Sequence, residues 1–151
     1  MPLVRIDLIR GKPLHHLHAI SAGVHDALVG ALGIPPDDRF HVITEHDAGH
    51  MLYDTQYLGI DRTDDVVFVQ IALRRGRTPS AREDLYRHIV ANLARDPGVR
   101  PQDVLITLLE NDPVDWSVGN GEAQLLAVLP AQLPTGPIAA EHGSDYERIS
   151  T

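Results

Sequence analysis

The sequence predicts an α/β (α+β) fold in which a tandem β-α-β repeat forms a four-stranded mixed sheet with two helices on one face. Two observations support this prediction. Segments with strand and helix periodicity follow one another in the order β-α-β-β-α-β. A gapless shift of 65 positions also carries Ile6 onto Ile71 and the loop at 33–38 onto the loop at 98–103, both reading Gly-[Ile/Val]-x-Pro-x-Asp. The chain therefore consists of two related units in tandem.

The first unit, about residues 2–45, begins with a strand at residues 3–9, where apolar and polar side chains alternate. Apolar residues then recur at helical spacing from 14 to 31, and Gly33 ends this helix. After a loop with two prolines, residues 39–44 predict a second strand. Because a crossover helix joins them, the two strands are expected to lie parallel.

The second unit, about residues 66–110, repeats this order. Residues 66–73 form the strongest strand pattern in the sequence, and Pro79 suits the first position of a helix that ends near residue 97. Residues 104–109 predict the fourth strand. We expect one domain over residues 1–129.

The third strand, residues 66–73, is apolar on both of its faces. Two helices on one side cannot cover both faces of a sheet, so the second face also needs a cover. A further copy of the same sheet would supply it, and the sequence therefore predicts a symmetric oligomer.

Two segments near the C-terminus follow the repeat. Residues 124–129 are apolar enough for one more short strand. Residues 130–151 contain three prolines and few large apolar side chains, which is typical of an irregular arm or tail.

Composition excludes several classes of function. Twenty-one acidic residues against 13 basic ones give a net charge of −8, which argues against nucleic acid as a partner. The absence of cysteine rules out disulfides, a thiolate nucleophile and cysteine-bound metals. Apolar runs are far too short to cross a membrane, and the N-terminus lacks a signal-peptide pattern, so we expect a cytoplasmic protein.

Pro2 is a candidate catalytic residue. A small second residue permits removal of Met1, which would leave a secondary amine as the N-terminus. Such an amine is a base, and the proline ring fixes its direction. The alternative is that Pro2 is merely tolerated next to a chain start.

Arg74, Arg75 and Arg77 form a second candidate group, because they place three cations in one turn of an acidic protein. The guanidinium fork suits a carboxylate, so we expect this turn to bind an anion, unless the arginines form only a solvated surface cluster. For the turn to lie near Pro2, the third strand must run antiparallel to the first.

Other polar residues carry weaker signals. Asp38 aligns with Asp103 in the repeat, so it is either a structural turn residue or a catalytic one. No metal site is expected: histidines 15, 16, 18, 46 and 50 lack a third ligand at a recognised spacing and are interpreted as solvent-exposed.

These features together resemble a known family. Pro2 at the start of a strand, the repeat, and the segments at 35–40, 75–78 and 110–119 are similar to the tautomerase superfamily, and within it to the malonate semialdehyde decarboxylases. The resemblance covers residues 2 to about 128.

The resemblance implies homotrimers, no cofactor, and a small carboxylate as substrate. It makes Pro2 the general acid or base and Asp38 the carboxylate that activates water or tunes the amine. It also implies that Arg75 and Arg77 clamp the substrate and that Trp116 helps to wall the pocket.

The sequence departs from the family pattern at two places. Gly76 stands between the arginines and Arg74 adds a cation, which leaves open which pair binds the carboxylate. Val118 replaces an aromatic residue and would enlarge the pocket.

The preferred interpretation is therefore decarboxylation of a short 3-oxo acid such as malonate semialdehyde. Two alternatives use the same site: keto-enol tautomerisation of phenylpyruvate-like 2-oxo acids, and hydration or dehalogenation of 3-substituted acrylates. A noncatalytic protein that binds an acidic metabolite is the alternative from a different class.

Overall fold

The computed structural model describes residues 1–127. The main elements are β1 (Pro2–Ile9), α1 (Leu14–Leu32), β2 (His41–His46), β3 (Val67–Arg74), α2 (Pro79–Arg95), β4 (Val104–Asn111) and the short helix α3 (Gln124–Ala127). No helix in this part of the chain is long and apolar enough to cross a membrane.

The four strands form one mixed sheet in the order β2-β1-β3-β4. Within each unit the strands are parallel, whereas β1 and β3 pair antiparallel at the centre. This arrangement confirms the predicted fold, and it meets the requirement that the third strand run opposite to the first.

The hydrophobic core lies between the sheet and the two helices. The repeat is visible in its packing, because positions related by the 65-residue shift occupy equivalent buried places. Three such pairs are fully buried: Ile20 and Leu85, Val24 and Ile89, and Leu28 and Leu93. Each side chain buried in this way contributes roughly 1.5–3 kcal/mol.

The helix ends follow local sequence chemistry. Gly33 closes α1 with φ of 65°, a left-handed conformation that costs glycine little. The Thr78 hydroxyl accepts a hydrogen bond from Ala81 N at the start of α2, and Pro79 occupies the first turn. Both ends were indicated by the sequence.

The other face of the sheet carries exposed hydrophobic side chains from three strands. Leu3, Val42, Leu105 and Leu109 are each between 38% and 47% exposed. The apolar second face predicted from the sequence is therefore present.

The strand predicted over residues 124–129 is wrong for residues 124–127, and residues 128 and 129 lie outside the described residues. Residues 124–127 form the helical turn α3, because the Gln124 side chain accepts from Val118 N and donates to Gly119 O, which folds the segment back on its own loop. The second strand also begins at His41 and not at residue 39. The predicted tail at 130–151 lies outside the described residues, and the domain boundary at residue 129 stays a prediction.

Candidate active site

The candidate site lies where β1 begins and β3 ends. Because the two strands are antiparallel, buried Pro2 pairs with Leu73, the residue before the arginine-rich turn at 74–77. The sheet topology therefore brings together two features that are more than seventy positions apart in the chain.

A cleft of about 480 Å³ opens beside this point on the face of the sheet away from the helices. Leu3 and Ala72 form its floor, since they pair in register and lie on that face. Its remaining walls come from the N-terminus, the segment before β2 and the loop after β4: Met1, Phe40, Asn111, Asp115, Trp116, Ser117 and Val118. The cleft thus contains Trp116 and Val118, both of which the sequence had singled out.

The loop after β4 holds Trp116 against the cleft. The indole N–H donates to the side-chain oxygen of Asn111, the last residue of β4. Asp112 and Asp115 close the intervening 3₁₀ turn, in which Asp112 N donates to Asp115 Oδ2 at 2.8 Å. These bonds fix the aromatic wall relative to the sheet.

The Asp38 side chain contacts the N-terminal amine of Met1. Its Oδ2 is 3.3 Å from the Met1 amine, and both side chains are less than one-fifth exposed. Consecutive backbone nitrogens are at most about 3.7 Å apart, so Pro2 N lies within about 7 Å of the same oxygen. A carboxylate at this range stabilises positive charge on an amine.

The repeat gives a structural reason for this carboxylate. Its counterpart Asp103 is fully buried and accepts hydrogen bonds from N and Oγ1 of Thr63, at 2.7 and 2.8 Å. Asp103 therefore fixes the chain that leads into β3. Asp38 occupies the equivalent place at the start of β1, where the group that it meets is an amine.

The three arginines point in different directions. Arg75 is largely exposed and pairs with Asp112 at 2.7 Å, while Arg77 donates to Arg74 O at 3.1 Å. Burial, and after it the neighbouring Arg74 charge, lower the pKa of Arg77, which Glu110 partly offsets.

The sheet register places Arg74 and Arg77 near opposite faces of the sheet. Glu110 pairs with Leu73 on the helix face of the sheet, so Arg77 lies near that face. Arg74 ends β3 in phase with Ala72 and is therefore on the cleft face. In this conformation none of the three lines the 480 Å³ cleft within the described residues.

The histidines named from the sequence are only partly as expected. His15, His18 and His50 are exposed, whereas His16 is half-buried. His46 is also half-buried, because its Nε2 lies 2.6 Å from Asp7 Oδ1 on the neighbouring strand. Across residues 1–127, no three His, Asp or Glu side chains form a cluster suited to a metal ion.

Sequence reasoning missed a second polar cluster, located between α1 and β2. Ser21 Oγ accepts from Arg39 Nη2 and contacts His41 Nδ1, both at 2.8 Å, and the rings of His25 and His41 meet edge to face. The signal was the presence of Ser21 and His25 among the apolar positions of α1, which places them at the helix-sheet interface.

Acid is expected to destabilise the protein through His41. Burial, followed by the Arg39 charge and His25, lowers the pKa of His41 from 6.5 to about 4. Between these two values the unfolded chain binds more protons, so the free energy of unfolding falls as the pH falls. Because the ring is partly exposed, we expect an effect on the order of 1 kcal/mol.

Urea unfolding at about pH 7 and about pH 5 measures this effect. Wild-type protein should lose more stability on acidification than His41→Asn, since the variant lacks the titrating ring. Equal losses in the two proteins would contradict the prediction.

Comparison with known proteins agrees with this geometry. Two family models described as tautomerase enzymes match residues 2–59 and 38–119. The chain is 36% identical to "Probable tautomerase YusQ" of Bacillus subtilis (strain 168), over 83% of this chain and 99% of that protein.

Solved structures show the same relation. A malonate semialdehyde decarboxylase described by its decarboxylase and hydratase activities is 32% identical, with a TM-score of 0.79 over 83% of this chain and 97% of its own. The FG41 malonate semialdehyde decarboxylase inhibited by 3-bromopropiolate is 37% identical, with a TM-score of 0.79 over 87% and 99%.

A fused 4-OT symmetric trimer, 20% identical over 82% of this chain and 98% of its own, shares the fold with a TM-score of 0.68. The family models, the curated relative and the topology agree. The chain belongs to the tautomerase superfamily and is similar in structure to malonate semialdehyde decarboxylase.

Proposed function

We propose that this protein is a cofactor-independent enzyme that uses the Pro2 amine to decarboxylate a short 3-oxo acid such as malonate semialdehyde. The observation that carries the proposal is made at the start of β1, where Asp38 contacts the terminal amine and the arginine turn follows the β3 partner of Pro2. Met1 and Leu3, on either side of Pro2, line the cleft. The likeness to two malonate semialdehyde decarboxylases, 32% and 37% identical, supports the same substrate class.

In the proposed reaction, Asp38 favours the protonated form of the Pro2 amine. The ammonium group donates a hydrogen bond or proton to the aldehyde oxygen of the substrate. The bond between the carboxylate and C2 then breaks, its electron pair forms the enol, and carbon dioxide leaves. The enol carbon takes up one proton from solvent, and the hydroxyl proton returns to Pro2, which gives acetaldehyde. Each turnover therefore consumes one proton and releases one carbon dioxide.

An imine route is the alternative for the same site. The neutral amine attacks the aldehyde carbon, and water leaves to form an iminium. The bond between C2 and the carboxylate then breaks, carbon dioxide leaves, and the bonding electron pair converts the iminium into an enamine. Protonation and hydrolysis return acetaldehyde and free Pro2. Borohydride reduction distinguishes the routes, because only an imine yields a covalent adduct at Pro2.

The substrate carboxylate is proposed to bind at the arginine turn. Arg75 is exposed, and it can bind the substrate carboxylate in place of the Asp112 carboxylate that it pairs with in this structure. Arg74 lies on the cleft face of the sheet. Two guanidinium groups can hold the carboxylate so that its breaking bond stands out of the carbonyl plane. In this proposal Arg77 supports the turn from the opposite side.

The test is the release of acetaldehyde from malonate semialdehyde by purified protein, with intact-mass measurement to establish that Met1 has been removed. Rapid release that is lost in Pro2→Ala and Arg75→Ala supports the proposal. Release no faster than in these variants rejects the decarboxylase assignment.

Tautomerisation of a phenylpyruvate-like 2-oxo acid is the second candidate. Val118 in the cleft wall favours it, since a small side chain leaves room for a larger substrate. In that reaction neutral Pro2 would carry a proton between oxygen and carbon. Loss of enol phenylpyruvate absorbance without acetaldehyde production would support this function. Addition of water to 3-substituted acrylates is a further reaction to assay, because one structural relative is described as having hydratase activity.

We also propose that the protein is a homotrimer whose subunits cover the apolar sheet face. Four large hydrophobic side chains on that face are at least 38% exposed in a single chain, and the fused 4-OT relative is a trimer. Light scattering should give three times the 16.6 kDa of one chain. A monomeric mass at micromolar concentration would contradict the proposal.

A further inference from the structure

The segment 38–41, which leads into β2, presents its side chains alternately on two sides. Asp38 faces the terminal amine, and Phe40 lines the cleft. The two alternate residues, Arg39 and His41, lie on the other side and contact α1 through Ser21. One short segment therefore connects the candidate site to a helix in the core.

Ser21 is the shared anchor of this contact. It is 5% exposed, and its Oγ lies 2.8 Å from both Arg39 Nη2 and His41 Nδ1. A guanidinium can only donate, so Oγ accepts from Arg39. Toward His41 Nδ1 the hydroxyl donates when that nitrogen carries no proton and accepts when it does, so Ser21 holds both side chains in either tautomer.

The anchor is specific to a hydroxyl. An alanine at position 21 would fill nearly the same space, but it would form a hydrogen bond with neither Arg39 nor His41. Threonine would keep the hydroxyl. The residues on either side of Arg39 are those that reach the site. Loss of the anchor would leave Asp38 and Phe40 held by backbone hydrogen bonds, from Asp38 N to Pro35 O and from Val4 N to Phe40 O, without the side-chain contacts to α1.

We infer that Ser21 is a positioning residue, which holds Asp38 beside the N-terminal amine by fixing Arg39 and His41 to α1. The inference rests on the proposed function, because it gives Asp38 its role next to the Pro2 amine. It adds Ser21, a residue of α1 that lies outside the cleft and contacts the opposite side of the segment 38–41.

The expected consequence is a change in the protonation of the amine. Three charged groups lie around the start of β1: Asp38, which contacts the Met1 amine, Asp115, which lines the same cleft as Met1, and Arg74, one position beyond the partner of Pro2. Of these, only Asp38 is attached to the Ser21 anchor. Its displacement weakens the stabilisation of the ammonium form, so the amine loses its proton at lower pH.

The measurement is the titration of the terminal amine by NMR in protein labelled with ¹⁵N-proline, after intact mass has established that Pro2 is the first residue. Ser21→Ala should move the midpoint in the same direction as Asp38→Asn, to lower pH, and by a smaller amount. Ser21→Thr should leave it near the wild-type value. Ser80→Ala, at an exposed serine of α2, is the matched control.

The double variant Ser21→Ala with Asp38→Asn separates positioning from a general structural effect. If Ser21 acts through Asp38, removal of its hydroxyl should add no further shift once the carboxylate is absent. An additive shift, or no shift in Ser21→Ala, overturns the inference. Thermal unfolding of each variant checks that the measured protein is folded.

Activity assays on the same variants keep the inference separate from the proposed function. If decarboxylation occurs, Ser21→Ala should lower kcat about 10-fold and move the amine limb of the pH-rate profile by the same amount as in the NMR titration. If wild-type protein decarboxylates no substrate, the proposed function fails, and the NMR titration still decides the role of Ser21.

Discussion

Pro2→Ala is expected to lower kcat/KM for decarboxylation about 10³-fold, within the range that a positioned acid or base contributes. Alanine retains a terminal amine, but it is a primary amine without the ring that fixes the direction of the nitrogen. Rates of acetaldehyde release, measured with both proteins free of Met1, give the comparison. Pro79→Ala, at the first turn of α2 away from the cleft, serves as the control.

The size of the loss also bears on the route. An imine mechanism tolerates a primary amine, so it predicts a smaller loss for Pro2→Ala together with a borohydride adduct. A variant as active as wild type would remove Pro2 from the chemistry. Protein that retains Met1 should be inactive by either route, because its proline nitrogen is part of an amide.

Arg75→Ala is expected to lower kcat/KM about 10²-fold, because a charge-assisted pair to a carboxylate contributes roughly 3 kcal/mol. Arg74→Ala should have an effect of similar size, since this residue lies on the cleft face of the sheet. Arg77→Ala should mainly reduce stability, because its guanidinium donates to the backbone of the turn. Steady-state kinetics and thermal unfolding of the three variants measure both effects.

Lysine at position 75 provides a matched control for charge. Arg75→Lys keeps the cation but loses the planar fork, so most of the loss should remain. Full activity in Arg75→Lys would mean that charge alone is sufficient. A loss in Arg77→Ala that exceeds the loss in Arg74→Ala, without loss of stability, would contradict the proposed assignment of the pair.

The secondary structure and its repetition were predictable from the sequence, because the helix and strand periodicities of apolar residues are local properties. The 65-residue shift matched residues that prove to be equivalent in the core, such as Val24 and Ile89. Apolar content alone predicted a strand that begins at residue 124, and this prediction was wrong for residues 124–127, where the Gln124 side chain contacts the backbone of its own loop.

The site was predictable in part. Trp116 and Val118, which the sequence singled out, line the cleft, and Asp38 lies at the Met1 amine, while the roles of these residues stay predictions. The different directions of Arg75 and Arg77 were not predictable, because Arg75 pairs with Asp112 in the loop after β4, whereas Arg77 donates to the backbone carbonyl of Arg74.

The sequence by itself determined the two β-α-β units and the residues able to carry acid-base and anion-binding chemistry. Only the tertiary structure decided that β1 and β3 lie antiparallel, that Asp38 reaches the amine while Asp103 is buried, and that Ser21 joins Arg39 to His41. The physical reason is range. Periodicity records which side of an element each residue occupies, whereas hydrogen bonds between elements depend on distances that are set when the whole sheet and its helices pack.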